Sequence, residues 1–204
     1  MRYTVIILAG LLCISMLPAT AWAQAPHQLG GFRLGADINA FAAQVDMDSR
    51  LPIRYMAYIQ EVEIRQLAGF KSGLIGYGTC AEPGKVVRIK LKYADSSEDF
   101  FKSLLGQFKK RFGEPDEYRG DPFRVYIAWK WSFEDADHNR ISLILSHNQQ
   151  NDEEKLGNAV KLSLTNWIEK ERACYLSKHP EEDASGQKGV KQRGKPDWTL
   201  FVPH

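Results

Sequence analysis

The 204-residue sequence predicts an α+β fold arranged as two similar lobes, each a helix followed by an antiparallel sheet. Three observations predict it. Segments of alternating apolar and polar residues follow one another without helices between them, which implies hairpins rather than parallel crossovers. Two stretches of helical periodicity, one opening at Asp37 and one at Ser96, each precede about three such strands. A third helical stretch follows at Trp167. The order helix, about three strands, helix, three strands, helix sets a domain over residues 32–176, with sub-lobes 32–95 and 96–176. One continuous antiparallel sheet with helices packed on one face is the alternative.

Each element has its own justification. Residues 24–31 make a flexible lead through Pro26 and Gly30-Gly31. Asp37 is a good N-cap, and Ile38, Phe41, Ala42 and Val45 recur at helical spacing, so a helix is expected over 37–46. Residues 53–66 read as a strand whose alternation slips between Ile59 and Val62, as a bulge would cause. Phe70–Cys80 is strand-like but punctuated by glycine. Glu82-Pro83-Gly84-Lys85 suits a type II turn. Val87, Ile89, Leu91 and Tyr93 then alternate with Arg88, Lys90 and Lys92, giving a strand with one basic, solvated side.

The strongest helix follows, with Ser96 as cap, Asp99 at the capping-box position and an apolar face of Phe100, Phe101, Leu104, Leu105, Phe108 and Phe112. Lys109, Lys110 and Arg111 complement its dipole, and Gly113 and Pro115 stop it. Val125, Ile127, Trp129, Trp131 and Phe133 alternate with Tyr126, Ala128, Lys130 and Ser132, so both tryptophans should face the core. A turn at Asp135–Asn139 leads to a strand through Ile141, Leu143 and Leu145. Asn148–Gly157 is a polar loop, and Val160, Leu162 and Leu164 form the last strand. Trp167–Leu176 reads as a short closing helix. Residues 177–204 are polar and expected to be disordered, with Trp198–Val202 apolar enough to dock.

The chain begins with the marks of export. Arg2 precedes an uncharged run from Thr4 to Leu17, Pro18 breaks it, and Ala21-Trp22-Ala23 supplies a cleavage site. Residues 1–23 therefore read as a signal peptide cleaved after Ala23, and the location as periplasmic or secreted. An uncleaved anchor is the alternative, but Thr4–Ala23 barely reaches across a bilayer. Leu12 before Cys13 excludes lipid attachment there. No stable membrane span is expected after cleavage. Arg2 is the leader's only charge, so the net charge falls from +2 to +1, which points away from nucleic acid. Cys80 and Cys174 remain. In an oxidising compartment such a pair is usually a disulfide, here closing a long loop for about 4 kcal/mol. Two buried thiols are the alternative.

Phe32-Arg33-Leu34-Gly35 before the first helix and Phe112-Gly113-Glu114-Pro115 after the second resemble small helix-plus-sheet envelope domains. These are outer-membrane assembly lipoproteins of the SmpA/OmlA type and the beta-lactamase-inhibitor protein. The resemblance covers a few Gly and Pro positions, and the lipobox of the first group is missing. It implies action by binding other proteins.

Candidate site residues are few. Tyr126 and Lys130, opposite the tryptophans, are exposed candidates for contact with a ligand or partner. Arg88 and Lys90, with Lys92, form a basic strip suited to anionic envelope polymers or to a plain solvated face. Tyr77, with Tyr55, Tyr58 and Tyr126, could line an inter-lobe cleft. His147 could line a pocket or be a hydrogen-bonded edge residue. Asp135-Ala136-Asp137-His138-Asn139 starts like a calcium loop, but Arg140 stands where glycine is needed and Ser146 where glutamate is, so a hairpin turn is expected. His27, His138, His147, His179 and His204 show no metal-ligand spacing. No phosphate, dinucleotide, zinc-protease or nucleophile-elbow motif occurs, so no catalytic residue, cofactor or metal is assigned. The expected role is a non-enzymatic interaction module of the cell envelope, contacting an envelope protein or polymer by sheet face or edge. A small-molecule binder with the inter-lobe aromatic cleft and a hydrolase of unfamiliar type are the alternatives.

Overall fold

The computed structural model describes residues 25–149 and 157–180. Residues 1–24, 150–156 and 181–204 lie outside the described residues, and with them the expected signal peptide, most of the expected polar loop and the apolar segment Trp198–Val202. A small hairpin, β1 (Gln28–Leu29) and β2 (Phe32–Arg33), comes first, followed by a 3₁₀ turn at Ile38–Phe41. Four strands follow: β3 (Val45–Ile53), β4 (Met56–Ile64), β5 (Phe70–Gly78) and β6 (Val86–Tyr93). Helix α1 (Glu98–Phe112) leads to β7 (Glu117–Tyr118), β8 (Tyr126–Glu134), β9 (Arg140–Asn148) and β10 (Gly157–Leu164), and α2 (Thr165–Lys178) closes the series.

The two-lobe expectation is overturned. All eight strands from β3 to β10 belong to one antiparallel sheet, in the order β3-β4-β5-β6-β10-β9-β8-β7. Each half contributes a four-stranded meander, and the last strand of each pairs with the other along Arg88–Lys92 and Ala159–Ser163. The halves share one sheet and one core, so no cleft separates lobes. The alternative expectation, a continuous antiparallel sheet, is the architecture found.

Several boundaries shift for identifiable reasons. The expected helix at 37–46 is only a 3₁₀ turn, although Asp37 does cap it by accepting from the Asn39 amide at 2.9 Å. Val45 instead begins β3, a polar edge strand interrupted by register shifts and by Pro52. β4 pairs with β5 without a shift, but its pairing with β3 shifts twice, between Glu63 and Glu61 and between Gln60 and Met56, around the slip in the sequence alternation. Ile59 is also buried on the side opposite Val62. Ser97, not Ser96, caps α1, and α2 extends to Lys178, into the segment expected to be disordered. The 82–85 turn closes as expected: the Lys85 amide donates to the Glu82 carbonyl, and Gly84 takes φ +75°.

One face of the sheet is covered by α1 and the N-terminal segment. Helix α2 begins there with Trp167 but reaches the opposite side at one end of the sheet, where Glu171 lies against Gly78, the cross-strand neighbour of the buried Ile59. Phe32, Leu34, Ile38, Val45, Val62, Ile75, Ile89, Leu91, Leu143, Leu145, Val160 and Leu162 form the core of the covered face, with Phe101 of α1 fully packed against them. Trp131 is buried and its Nε1 donates to the Gly113 carbonyl at 2.9 Å, fixing the end of α1 on the sheet. Trp129 is only partly buried.

A second anchor went unforeseen. Glu171 of α2 is fully buried; its carboxylate accepts from the amides of Thr79 (3.0 Å), Cys80 (2.7 Å) and Glu82 (2.5 Å). A Cβ at Gly78 would stand 2.3 Å from that carboxylate, so only glycine fits. Beside this latch Cys80 and Cys174 form the expected disulfide, 94 residues apart in sequence. It is compatible with a location outside the cytoplasm. Among the described residues no helix is long and apolar enough to cross a membrane.

Candidate functional site

Because facing residues of paired strands share a side, the register shows what the face opposite α1, here called the open face, presents. One row crosses all eight strands: Asp46, Glu63, Leu74, Lys90, Lys161, Ile144, Lys130 and Glu117. A parallel row runs Leu51, Glu61, Gly76, Arg88, Ser163, Ser142 and Ser132. On the other side of Lys90 lie Ser72, Lys92, Ala159, Ser146 and Ala128. The central floor thus holds small residues beside Leu74 and Ile144, and the charged side chains on it are cations. Acids stand at the flanks.

Among the described residues charge is paired at the flanks, while Lys90 and Lys161 in the middle are not. Arg88 pairs with Glu61 at 2.5 Å, both largely buried, although the Arg88 Nε is buried with no hydrogen-bond partner. Lys130 and Arg119 share Glu117 at 3.3 and 2.7 Å. Lys90 and Lys161 stand directly opposite each other, and among the described residues neither has an ion-pair partner. Like charges in facing positions weaken a sheet. Burial, followed by the charges of Arg88, Lys90 and Arg119, pulls the Lys161 amine below the ordinary lysine range.

Next to this cluster the face dips into a hollow of about 970 Å³, lined by Lys71, Lys90, Lys92, Tyr126, Ser146 and Asn148 among others. Tyr126 is partly exposed at this corner, and Phe123 in the adjoining turn is 88% exposed. Asp121 organises that turn: its carboxylate accepts from the amides of Tyr126 and Phe123, which lowers its pKa, the Tyr126 bond foremost. Leu51 is exposed on the acidic flank, and Tyr55 is exposed in the turn beyond it.

Of the residues singled out from sequence, Arg88, Lys90, Lys130 and Tyr126 share this open face, and the other two do not. Tyr77 is buried on the covered side, its hydroxyl donating to Gln60 Oε1 at 2.9 Å. His147 is also buried there, stacked on Phe101 with ring centres 5.2 Å apart. Asn158 donates to the carbonyls of Asp95 and Ser97, so its Oδ1 faces His147 Nδ1, which donates to it at 2.7 Å. The His147 Nε2 is left as a buried acceptor without a donor. This network pins the start of α1 to the sheet. Tyr58 packs against Tyr175 and Tyr55 points into solvent, so the expected tyrosine cleft is not assembled.

Sequence reading missed Lys161, whose place beside Lys90 depends on a pairing between distant strands. The alternation of Val160, Leu162 and Leu164 already placed it on the polar side of its strand.

The remaining reactive groups are engaged elsewhere. His138 pairs with Glu134 at 2.6 Å, a bond that raises its pKa; His27 lies 3.5 Å from Asp135, and His179 stacks on Tyr175. Asp135 accepts from the amides of Asp137 and Asn139, so its carboxylate closes the hairpin turn. Both described cysteines are in the disulfide. Among the described residues no group of three or more His, Cys, Asp or Glu is placed to hold a metal.

Fold and site together define a class: an α+β protein with one broad antiparallel sheet, α1 and the N-terminal segment on one side, and a second face that is basic at its centre among the described residues. Comparison with models of protein families, with curated proteins and with solved structures finds no match to this chain. The likeness of its Gly and Pro positions to envelope domains has no counterpart there.

Proposed function

We propose that the chain is a non-enzymatic interaction module acting outside the cytoplasm, which docks an acidic protein partner of the cell envelope on the open face of its sheet. The observation that carries this reading is the facing pair Lys90 and Lys161, which no described residue neutralises, at the centre of the sheet face opposite α1. Long cations around small residues leave room for a partner's side chains, and complementary charge favours encounter and specificity. Tyr126 and Leu51 offer apolar anchors on the same face. The face is favoured over the edges. At one edge β3 is interrupted by register shifts and Pro52, and at the other β7 has two residues; both are poor templates for an added strand.

The test is affinity capture from an envelope fraction with three baits: the wild type, a Lys90→Glu/Lys161→Glu double variant and a Lys102→Glu control on the exposed side of α1. A captured protein retained by wild type and control, and lost from the double variant, supports the reading. A protein retained equally by all three overturns it.

A small-molecule reading has one observation in its favour. A second hollow, of about 1000 Å³, lies between the β1–β2 hairpin and α1, with Phe108, Phe112, Leu143 and Leu162 inside and Arg33, Lys110 and Arg111 around it. An amphipathic anion is the ligand this lining suits. Saturating myristate should raise the melting temperature if the hollow is a binding site, and should leave it unchanged if it is not.

A further inference from the structure

We infer that Lys161 and Lys90, with Arg88 beside them, form a seat for one carboxylate of an acidic polypeptide segment laid across the open face. This deepens the docking reading above and rests on it. Lys161 stands on β10 directly opposite Lys90 on β6, and Arg88 is two residues further along the same side of β6. Ser163 faces Arg88 across the ladder, and Ser142 faces Ser163 across the next. Both serines are nearly buried, so the floor beneath the three cations is small and hydroxylated.

No carboxylate described in the structure neutralises the two lysines. Glu61 is committed to Arg88, and that pair still leaves the buried Arg88 Nε without a partner. Glu117 is committed to Arg119 and Lys130. A facing lysine pair without a counterion has no stabilising role in a sheet. A carboxylate entering from solvent would meet two ammonium groups and could accept from both.

The charge pattern selects a polypeptide over a uniform polyanion. The central row begins with Asp46 and Glu63 and ends with Glu117, with the lysines between. A polymer anionic along its whole length would meet carboxylates at both flanks. A peptide can place an acid at the centre and neutral or basic residues outside it, with apolar residues reaching Tyr126 and Leu51.

The experiment uses the domain with its disulfide intact and a glutamate-centred dodecapeptide with lysine at both ends as probe. Binding is measured by calorimetry, and the Lys161 side chain is followed by the carbon-13 shift of Cε during alkaline titration. The amine starts below the ordinary lysine range through burial and the neighbouring cations. With peptide bound it should return upward, because an adjacent carboxylate favours the charged form. Lys161→Met and Lys90→Met should each weaken binding about tenfold, while Lys102→Met on α1 should not. The Cε readout on unaltered protein stands even where a variant folds poorly. Binding with a silent Lys161 overturns the seat and leaves open-face docking intact. Failure of the peptide to bind overturns both. Stronger binding of heparin or of inorganic phosphate than of peptide, with the same Lys161 response, overturns the polypeptide assignment.

Discussion

Two neighbouring rows of the same sheet differ in almost everything but their position in the ladder. Val62, Ile75, Ile89, Leu162, Leu143 and Trp131 form one, apolar throughout and almost wholly buried. Glu63, Leu74, Lys90, Lys161, Ile144 and Lys130, one residue along each strand, form the other. The first row is packed under the covering segments; in the second Glu63 and Lys90 are exposed and the other four are partly buried. Strand geometry sends adjacent residues to opposite faces, so one sheet carries both the source of stability and a surface free to vary. Stability should therefore respond strongly to changes in the first row and weakly, or in the opposite direction, to changes in the second.

Five measurements break or sharpen that contrast, from the largest expected effect to the smallest. Trp131→Ala removes the largest buried side chain of the covered row and its bond to Gly113, and should cost about 3–5 kcal/mol in denaturant unfolding. A loss below about 1 kcal/mol would mean the covered face is not the core. Next, Cys80→Ser/Cys174→Ser should cost about 3 kcal/mol. Glu171→Gln should cost about 2 kcal/mol, because the amide can turn an N–H against backbone donors that now face a carboxylate.

On the open row the sign reverses. Lys161→Met should stabilise the domain by about 0.5–1 kcal/mol near neutral pH by ending the clash with Lys90. The folded-state pKa of Lys161 is depressed, so above it the unfolded chain binds more protons and stability rises with pH until lysine's ordinary pKa is reached. The advantage of Lys161→Met should shrink over that alkaline window; a gain that stays constant with pH would break the explanation.

The smallest effect is local. Asp121 has a lowered pKa because backbone amides donate to its carboxylate, that of Tyr126 foremost. Its contribution is therefore full above the ordinary aspartate pKa and disappears as pH falls through the folded value. Protection factors for the amides of Phe123 and Tyr126 should fall in acid while the core stays protected, and Asp121→Asn should remove that acid dependence.

The sequence made local features legible and hid the long-range ones. Strict alternation in 86–93, 126–134 and 157–164 identifies β6, β8 and β10, and the phenylalanine face of α1 is as plain. Residues 45–53 hide a strand, because Asp46, Asp48, Ser49 and Arg50 crowd a twice-shifted edge strand and Pro52 interrupts it. Nothing local tells β6 to pair with β10, so the repeated order of helix and strands reads equally well as two lobes. The same blindness covers the candidate site. Arg88, Lys90, Lys130 and Tyr126 are visible from their strands, but Lys161 matters only once β10 lies beside β6. Tyr77 and His147 are attractive in isolation because their partners, Gln60, Asn158 and Phe101, lie on other elements. Glu171 was invisible for a like reason: its three partners are backbone amides far upstream.

The central ladder also has a consequence for biogenesis. β6 is complete long before β10 exists, and a chain delivered from its N-terminus must wait for the residues after Gly157 before the two can join. During that interval Val86, Val87, Ile89 and Leu91 lie along a strand with one unzipped border, the kind of surface that recruits other nascent chains. Any truncation ahead of Gly157 should therefore yield insoluble material rather than a smaller folded half, and the last strand to arrive is the one that makes the polypeptide safe.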